Sequence, residues 1–287
     1  MCYINNTQQE THTFELERIV NRDIVLFDMD GTLTEARKPF APFLSSPLWS
    51  LSQIADIGIV TGSDMDYVSE QMSSLIENHS IRYSLHILPC NGTKWYIPPE
   101  FPSQEHSLNH SVEMEKQIGV SSYRKLLEVL IRKQWDMVDY DIPLTGHFIS
   151  CRGSMINWSP SGRNANEGQR KRFKKFDKNY GLRNSLLTRL KVALHHEEIE
   201  NLLTVKLGGD TSFDIYPRGW DKTYALRHFS DRNVWFVGDR AHSPKGNDYE
   251  IFQACGSRSF HTTGPEETKE VIEKIEALIR EKKNGIN

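Results

Sequence analysis

The stretch IVLFDMDGTLT (residues 24–34) decides the fold of this chain. Its first four residues are apolar and are followed directly by Asp28. Asp30 comes two residues later, and Gly31 follows it. Such an apolar run predicts a strand buried on both faces, as in a parallel sheet, where chemistry lies beyond the carboxyl ends of the strands. Side chains two apart in an extended chain point the same way, so we expect both carboxylates to face one site. The alternative is a plain Asp-Gly turn, which the longer string disfavours.

Two further apolar runs end in residue types that bind phosphate or metal. Residues 54–60 lead into Thr61-Gly62-Ser63, whose hydroxyls and backbone N–H groups suit a phosphate, and into Asp64, which suits a helix start. Residues 234–237 lead into Gly238-Asp239. Thr-Gly-Ser alone is also ordinary turn chemistry. Recurrence at several strand ends favours an α/β chain with a parallel sheet and one shared site.

The bulk composition bounds the class of protein. The chain has 287 residues, 38% hydrophobic and 25% charged, with a net charge of −3. We expect a globular protein with a proper core and no general attraction to nucleic acid or to a membrane surface. The four cysteines lie far apart in sequence, which favours reduced thiols over disulfides or a metal site. No apolar run resembles a signal peptide or a membrane span, so we expect a cytoplasmic location.

The middle of the chain differs in pattern from its two ends. Helical spacing over residues 121–135 is mixed with predicted hairpins around Gly153 and Gly209, without strand–helix alternation. This mixture predicts an α+β insertion in an α/β chain. The predicted units are a polar N-terminal tail at residues 1–21, a core at residues 22–94 and 220–287, and the insertion at residues 95–219.

The strand ends supply the groups that phosphoryl transfer requires. Asp28 is able to form an aspartyl-phosphate, and Asp30 to exchange a proton with the leaving and attacking oxygens. Asp239 completes an oxygen-rich site that suits Mg²⁺, and Asp248 would orient this site from behind. Lys222 offers a positive charge to the phosphoryl oxygens. Each has an ordinary alternative, such as a Gly-Asp turn or a surface lysine, and their joint occurrence favours the functional interpretation.

Arginines elsewhere suit the same chemistry, because the planar guanidinium matches phosphate oxygens. Residues 34–50 contain three prolines and predict a loop beside the site, which brings Arg37 near Asp28. The basic run at residues 170–175 resembles a nucleic-acid patch. At this net charge, a solvated helix face is the better interpretation.

These motifs together resemble a known family. The string Asp-Met-Asp-Gly-Thr-Leu-Thr resembles the nucleophile motif of the haloacid dehalogenase superfamily. With residues 62–64, 152–163, 212–222 and 238–248, the chain resembles eukaryotic-type phosphomannomutases, in the same order from about residue 24 to 266. The resemblance implies a Rossmann-like core, an inserted α+β cap, and a homodimer formed through the caps.

The resemblance also implies roles for individual residues. Asp28 would be the phosphorylated nucleophile and Asp30 the general acid and base, with Mg²⁺ on Asp28, the Asp30 carbonyl and Asp239, supported by Asp248. The residues implied to hold the sugar phosphate are Arg37, Arg152, Arg163, Arg170, Ser212 and Asp214. A mutase must hold one phosphate at the nucleophile and grip the other end of the sugar, which this set permits.

Four features depart from the family pattern. Thr61 stands where glycine is common, and Cys90 where an acid is common. The loop from Asp239 to Asp248 is one residue longer than usual, and residues 252–254 lack an aspartate that helps to hold a second cation in relatives. These departures concern a second cation site and substrate preference more than the mechanism.

The resemblance therefore predicts a Mg²⁺-dependent phosphomannomutase. It would interconvert mannose 6-phosphate and mannose 1-phosphate for GDP-mannose synthesis, with a hexose 1,6-bisphosphate as intermediate and activator. A phosphatase needs only one phosphate site, so the additional arginines favour transfer over hydrolysis. Two alternatives stay open, a sugar-phosphate phosphatase of the same superfamily and a non-catalytic sugar-phosphate sensor. The preference between mannose and glucose phosphates also stays open, since these sugars differ at one hydroxyl.

Overall fold

A computed structural model describes residues 22–244 and 246–284, and the predicted tail at residues 1–21 lies outside the described residues. The strands are β1 (Ile24–Phe27), β2 (Asp56–Val60), β3 (Leu85–Leu88), β4 (Lys94–Ile97), β5 (Ser107–Ser111), β6 (Ile149–Cys151), β7 (Ile156–Trp158), β8 (Leu203–Gly208), β9 (Ser212–Pro217), β10 (Val234–Gly238) and β11 (Ser259–His261). The α-helices are α1 (Ser45–Ser52), α2 (Met65–Ile76), α3 (Met114–Ile118), α4 (Val120–Trp135), α5 (Glu167–Tyr180), α6 (Leu182–His196), α7 (Tyr249–Cys255) and α8 (Pro265–Asn284). None of these helices is long and apolar enough to cross a bilayer.

The larger sheet has seven strands in the order β11-β10-β1-β2-β3-β4-β5. Its first five strands pair in parallel, and β4 and β5 pair antiparallel at one edge. All four residues of β1 are fully buried, as the apolar run predicts. Because β1, β2 and β10 are parallel, Asp28, Thr61 and Asp239 all follow strands that end at the same edge of the sheet.

Helices cover both faces of this large sheet. On one face, Ile272 of α8 shares an apolar cluster with Phe27. On the other face, Leu26 packs in a cluster with Phe229, from a 3₁₀ helix over Lys222–Phe229, and with Ile251 of α7. The elements that begin at Lys222 and follow Asp248 are therefore held against the central strand.

The smaller sheet is antiparallel, with the order β6-β7-β9-β8. Its apolar cluster includes Leu130 of α4 and Leu190 of α6, and Trp158 stacks on Phe213 with ring centroids 4.9 Å apart. Residues 112–219, which carry this sheet, are called the small-sheet module below. The predicted α/β fold, with a mostly parallel sheet and separate antiparallel hairpins, is confirmed.

Two boundaries of the prediction need correction. The insertion was expected from residue 95, but β4 and β5 extend the large sheet, because Tyr96 pairs with Ile87 of β3 and Trp95 donates to Nδ1 of His86 at 3.2 Å. Residues 34–50 were expected to form a loop, but α1 begins at Ser45, since Leu48 is buried against the sheet. The division of the chain into a catalytic core and a cap stays a prediction.

Candidate active site

Asp28, the predicted nucleophile, lies at the carboxyl end of β1, where its backbone N–H donates to the Val237 carbonyl at 2.9 Å. Its buried side chain accepts a hydrogen bond from Nζ of Lys222 through Oδ1. The same ammonium donates to Oδ1 of Asp248 at 2.6 Å. Lys222 begins the 3₁₀ helix, and its side chain has no exposed surface. This lysine therefore joins two buried carboxylates.

Asp239 completes a cluster of three carboxylates at this sheet edge. Oxygens of Asp28, Asp239 and Asp248 lie within 4.8 Å of one another. Within the described ranges, Oδ1 of Asp239 is buried without a hydrogen-bond partner. Oδ2 of Asp248 accepts the Arg240 N–H at 3.0 Å. Gly31 has φ +85°, and a Cβ there would lie 2.4 Å from Oδ2 of Asp239, so any side chain at this position would displace the carboxylate.

The three acids of this cluster have two cationic partners. Lys222 bonds to Asp28 and Asp248, and Nε of Arg240 lies 3.7 Å from Oδ2 of Asp239, which leaves excess negative charge. Burial and the neighbouring Asp248 raise the pKa of Asp28 well above its usual range, although Lys222 opposes this shift. Burial and Asp248 likewise raise the pKa of Asp239. Burial lowers the pKa of Lys222, but attraction to Asp248 and Asp28 outweighs it, so the net shift is upward. The charge balance, the unpaired buried oxygen and the all-oxygen donor set fit a hard divalent cation.

Asp30 is held by two donors from different elements. Its Oδ1 accepts one hydrogen bond from the backbone N–H of Arg37 at 2.9 Å and another from the Tyr67 hydroxyl at 3.3 Å. Arg37 has φ +64°, a sparsely populated conformation for a residue with a side chain. The Asp30 carboxylate is not part of the three-carboxylate cluster, and the predicted metal contact through its backbone carbonyl stays a prediction.

The predicted phosphate loop, Thr61-Gly62-Ser63, connects β2 to α2. The Asn91 N–H donates to the Thr61 carbonyl at 2.7 Å, and the Cys90 N–H donates to the Ser63 carbonyl at 2.8 Å. The Ser63 N–H donates to Oγ1 of Thr61 at 3.1 Å, so one predicted phosphate donor is used within the loop. Asp64 caps α2 by accepting the Tyr67 N–H at 3.1 Å, as its sequence position predicts.

Arg152 joins the small-sheet module to this loop. Its Nη1 donates to the Gly62 carbonyl at 2.5 Å, and its Nε lies 3.4 Å from Oδ2 of Asp64. The side chain is almost completely buried. Arg152 thus lies beside the predicted phosphate loop, with part of its guanidinium already bonded to protein atoms.

Arg163 and Arg170 form a basic surface on the small-sheet module. Nη1 of Arg163 donates to Oδ1 of Asn157 at 3.2 Å, and Nη2 of Arg170 donates to the Arg163 carbonyl at 2.7 Å. Burial and nearby Arg152 lower the pKa of Arg163, while burial and nearby Arg37 lower the pKa of Arg170 to about 10. Like-charged guanidinium groups held together in this way suit an anion with two negative charges.

Ser212 and Asp214 lie on β9, opposite Asn157 of β7. Nδ2 of Asn157 donates to Oγ of Ser212 at 3.0 Å and to Oδ1 of Asp214 at 2.7 Å. The Ser212 hydroxyl donates to the Gly208 carbonyl at 2.7 Å. Asn157 joins both residues to Arg163, and this role was not predicted from the sequence. Its available signal was a polar residue inside a predicted hairpin strand.

One cleft of about 360 Å³ collects these groups. The predicted residues on its wall are Asp28, Asp30, Arg37, Thr61, Gly62, Ser63, Arg152, Arg163, Arg170, Ser212 and Asp214. Lys222, Asp239 and Asp248 are not among its wall residues. Among lining residues that were not predicted, Asp210 accepts from Lys174 at 2.7 Å and from Arg240 at 3.4 Å. Arg240 follows β10, so this contact joins the small-sheet module to the large sheet.

Comparison with known proteins places this cleft in a family context. The model of the family described as "Eukaryotic phosphomannomutase" matches residues 44–278. The chain belongs to the eukaryotic phosphomannomutase family. It is 34% identical over 264 residues to the phosphomannomutase of Schizosaccharomyces pombe, an alignment that covers 90% of this chain and 96% of that relative. It is 32% identical over 263 residues to phosphomannomutase 1 of Dictyostelium discoideum, with 90% and 98% covered.

A solved structure extends the comparison to the fold of this phosphomannomutase-family chain. A C-terminally truncated IMP-nucleotidase of Plasmodium falciparum superposes with a TM-score of 0.64 at 18% sequence identity. The superposition covers 96% of this chain and 78% of that one. The eukaryotic phosphomannomutase family and the α/β fold that the sequence predicts are therefore confirmed.

Proposed function

We propose that this phosphomannomutase-family member interconverts mannose 6-phosphate and mannose 1-phosphate through a phosphorylated Asp28. The observation that carries the proposal is the division of charge in the cleft. Two carboxylates at the carboxyl end of β1, those of Asp28 and Asp30, share the cleft wall with three arginines of the small-sheet module, Arg152, Arg163 and Arg170. A hexose 1,6-bisphosphate has a phosphate at each end, so one end lies at Asp28 while arginines hold the other. Membership of the family supports the same activity.

The reaction consists of two phosphoryl transfers. First, a hydroxyl oxygen of the hexose phosphate attacks the phosphorus on Asp28; the Asp28–phosphorus bond breaks, and Asp30 takes the hydroxyl proton. The resulting bisphosphate turns end for end. An Asp28 oxygen then attacks the other phosphorus, the bond to the sugar oxygen breaks, and Asp30 returns the proton to that oxygen. Each cycle restores the phosphorylated Asp28, so a hexose 1,6-bisphosphate that supplies the first phosphoryl group acts as an activator.

The acidic cluster is the proposed site of Mg²⁺. Asp28, the Asp30 carbonyl and Asp239 would hold the ion, and Asp248 would support it from behind through its contact with Lys222. Bound Mg²⁺ supplies positive charge that stabilises the transferring phosphoryl group. Lys222 contributes a second positive charge beside Asp28.

The remaining residues of the cleft hold the substrate. The Thr61-Gly62-Ser63 loop is proposed to contact the reacting phosphoryl group. Arg37, Arg152, Arg163 and Arg170 would hold the second phosphate. Ser212 and Asp214 would bind sugar hydroxyls, because both carry oxygens on the cleft wall and are fixed by Asn157.

A homodimer through the small-sheet module is also part of the proposal. Ile131, Trp135 and Val138 repeat at helical spacing on α4 and the following turn, and they are 61%, 77% and 58% exposed. We expect Trp135→Asp to yield a monomer in light scattering at micromolar concentration. Leu108→Asp, at a 52%-exposed position on β5 of the large sheet, is the matched control and should leave the dimer intact. A wild-type monomer at these concentrations would contradict the dimer.

The activity is tested by a coupled assay on the purified full chain. Mannose 1-phosphate, Mg²⁺ and a catalytic amount of glucose 1,6-bisphosphate are supplied, and mannose 6-phosphate and free phosphate are followed together. We expect mannose 6-phosphate to appear only with the bisphosphate present. Free phosphate in place of the isomer would support the phosphatase alternative. Failure of either product to appear, together with binding of mannose 1-phosphate, would support the sensor.

A further inference from the structure

The start of α2 holds Tyr67 beside Asp30, just beyond the carboxyl end of β1. Its backbone N–H is the one that Asp64 caps at 3.1 Å, which fixes Tyr67 in the first turn of the helix. Its side chain lines the cleft, and its hydroxyl reaches Oδ1 of Asp30 at 3.3 Å. Asp64 also lies 3.4 Å from Nε of Arg152, so the anchor of this helix start is itself part of the site.

The two oxygens of Asp30 have different surroundings. Oδ1 accepts both the Tyr67 hydroxyl and the Arg37 N–H. In the part of the chain that the structure describes, Oδ2 accepts no hydrogen bond from protein. The Tyr67 hydroxyl lies 3.3 Å from Oδ1, and a carboxylate oxygen can only accept, so the phenol O–H is the donor. Oδ2 is therefore the oxygen of Asp30 that is free to exchange a proton with substrate.

Two donors are needed to fix the orientation of the Asp30 carboxylate. The terminal torsion of an aspartate has a broad energy minimum, so one hydrogen bond leaves the carboxylate free to turn. The Arg37 donor comes from the loop after β1, and the Tyr67 donor comes from a helix, so together they define the carboxylate plane. Small errors in the position of a catalytic group reduce rates strongly.

We propose that Tyr67 is a positioning residue that holds Asp30 with Oδ2 directed at the bridging oxygen of the sugar phosphate. This rests on the general acid and base role proposed for Asp30. As an Asp28 oxygen bonds to phosphorus, the bond from phosphorus to the sugar oxygen breaks, and the proton on Oδ2 moves to that oxygen. Without Tyr67, Asp30 turns away and the sugar oxygen leaves without its proton.

The test compares two phosphoryl donors, one whose leaving group needs a proton from Asp30 and one whose leaving group does not. A positioning role affects only the first, whereas a structural role affects both. Tyr67→Phe keeps the ring and removes the hydroxyl. Phosphorylation of Asp28 is measured by rapid quench with glucose 1,6-bisphosphate, whose alkoxide leaving group needs a proton. It is also measured by the nitrophenolate burst with p-nitrophenyl phosphate, whose leaving group does not. We expect a loss of about 10- to 100-fold with the bisphosphate, a fraction of what a general acid contributes, and less than about twofold with p-nitrophenyl phosphate.

Tyr140→Phe is the matched control, because it removes a comparable hydrogen bond, from Arg189 at 3.0 Å, on the small-sheet module. It should change neither rate. In an Asp30→Ala background, Tyr67→Phe should cause no further loss, since there is no carboxylate left to position. Equal losses with both phosphoryl donors, or a full additional loss in the Asp30→Ala background, would overturn the proposal. Both measurements follow phosphorylation of Asp28 alone, so they stay decisive if the protein proves to hydrolyse rather than isomerise hexose phosphates.

Discussion

Two buried ionic clusters lie at opposite ends of the strands of the large sheet. One has more cationic groups than carboxylates, and the other has more carboxylates than cationic groups. At the start of β2, one carboxylate, Asp56, is shared by two arginines. Nη2 of Arg232 donates to it at 2.6 Å, and Nη1 of Arg22 lies 3.4 Å away. At the carboxyl end of the strands, three carboxylates have two cationic partners. The Lys222 ammonium bonds to Asp28 and Asp248, and Nε of Arg240 lies 3.7 Å from Oδ2 of Asp239.

The two balances shift carboxyl pKa values in opposite directions. Burial raises the pKa of Asp56, but the hydrogen bond with His86 and the charge of Arg232 outweigh it, so the net shift is downward. At the other edge, burial and Asp248 raise the pKa of Asp28. The Asp56 cluster is satisfied by the protein alone and serves stability. The Asp28 cluster is short of positive charge, which is the condition expected of a site that binds a cation and a reacting phosphoryl group.

The largest expected effect is on turnover, from Asp28→Asn. The amide cannot form the phosphorylated intermediate, so we expect mutase turnover to fall by about 10⁴-fold or more. The coupled assay measures turnover, and circular dichroism checks that the fold is intact. Asp56→Asn is the comparison variant and should keep turnover within about threefold, because it touches only the structural cluster. Substantial mutase activity in Asp28→Asn would refute the proposed mechanism.

The carboxyl-end side of the candidate site was predictable because its information is local. Asp28, Thr61 and Asp239 each directly follow an apolar run, and parallel strands bring their carboxyl ends together without further information. The basic side is different, since Arg163 and Arg170 lie in segments whose local pattern does not show which way a side chain points. Their roles came from the family resemblance alone.

Elements that depend on distant contacts were missed for the same reason. β5 has the sequence SLNHS and is mostly exposed, so no apolar alternation marks it as a strand of the large sheet. Asn157 becomes a site residue only through the pairing of β7 with β9, which puts it opposite Asp214. Tyr67 is adjacent to a predicted helix start, but its contact with Asp30 depends on how α2 packs beside β1.

The next effect in size is on stability, from removal of the shared base. Lys222→Met leaves Asp28 and Asp248 buried without a positive partner. Breaking a buried ion pair on one side costs about 3–5 kcal/mol, and we expect a loss of this size in the free energy of unfolding without Mg²⁺, measured by urea titration. Lys174→Met removes an exposed pair with Asp210 and should cost about 1 kcal/mol or less. Similar losses for both variants would mean that the acidic cluster gains nothing from its lysine.

Mg²⁺ should stabilise the protein through the carboxylate cluster that contains Asp28 and Asp239, and not through the Asp56 cluster. A ligand at 100 times its dissociation constant stabilises the folded protein by about 2.7 kcal/mol, and we expect a gain of this order at saturating Mg²⁺ in thermal melts. Asp239→Asn removes the carboxylate that has the unpaired buried oxygen, so it should lose most of the gain. Asp56→Asn should retain it in full. Equal stabilisation of Asp239→Asn and wild type would place the cation elsewhere.

The smallest expected effect is a difference in pH dependence. Because the folded pKa of Asp56 lies below its ordinary value of 3.8, its contribution to stability is present above that value and is lost as pH falls through the folded pKa. Asp56→Asn should therefore cost about 1.5 kcal/mol, the size of a charged hydrogen bond, at neutral pH. The cost should disappear in strong acid.

For Asp28→Asn, the change in stability should have the opposite sign to that for Asp56→Asn. Its folded pKa is raised, so metal-free protein loses stability as pH rises from 3.8 through the folded pKa, and a neutral side chain avoids that loss. Relative to wild type without Mg²⁺, Asp28→Asn should gain stability between mildly acidic and neutral pH, where Asp56→Asn shows its full cost. Urea titrations of both variants across that range measure the two differences. If the differences had the same sign, the two edges of the sheet would not differ in charge balance, and the excess of acid at Asp28 could no longer be explained by a demand for a bound cation.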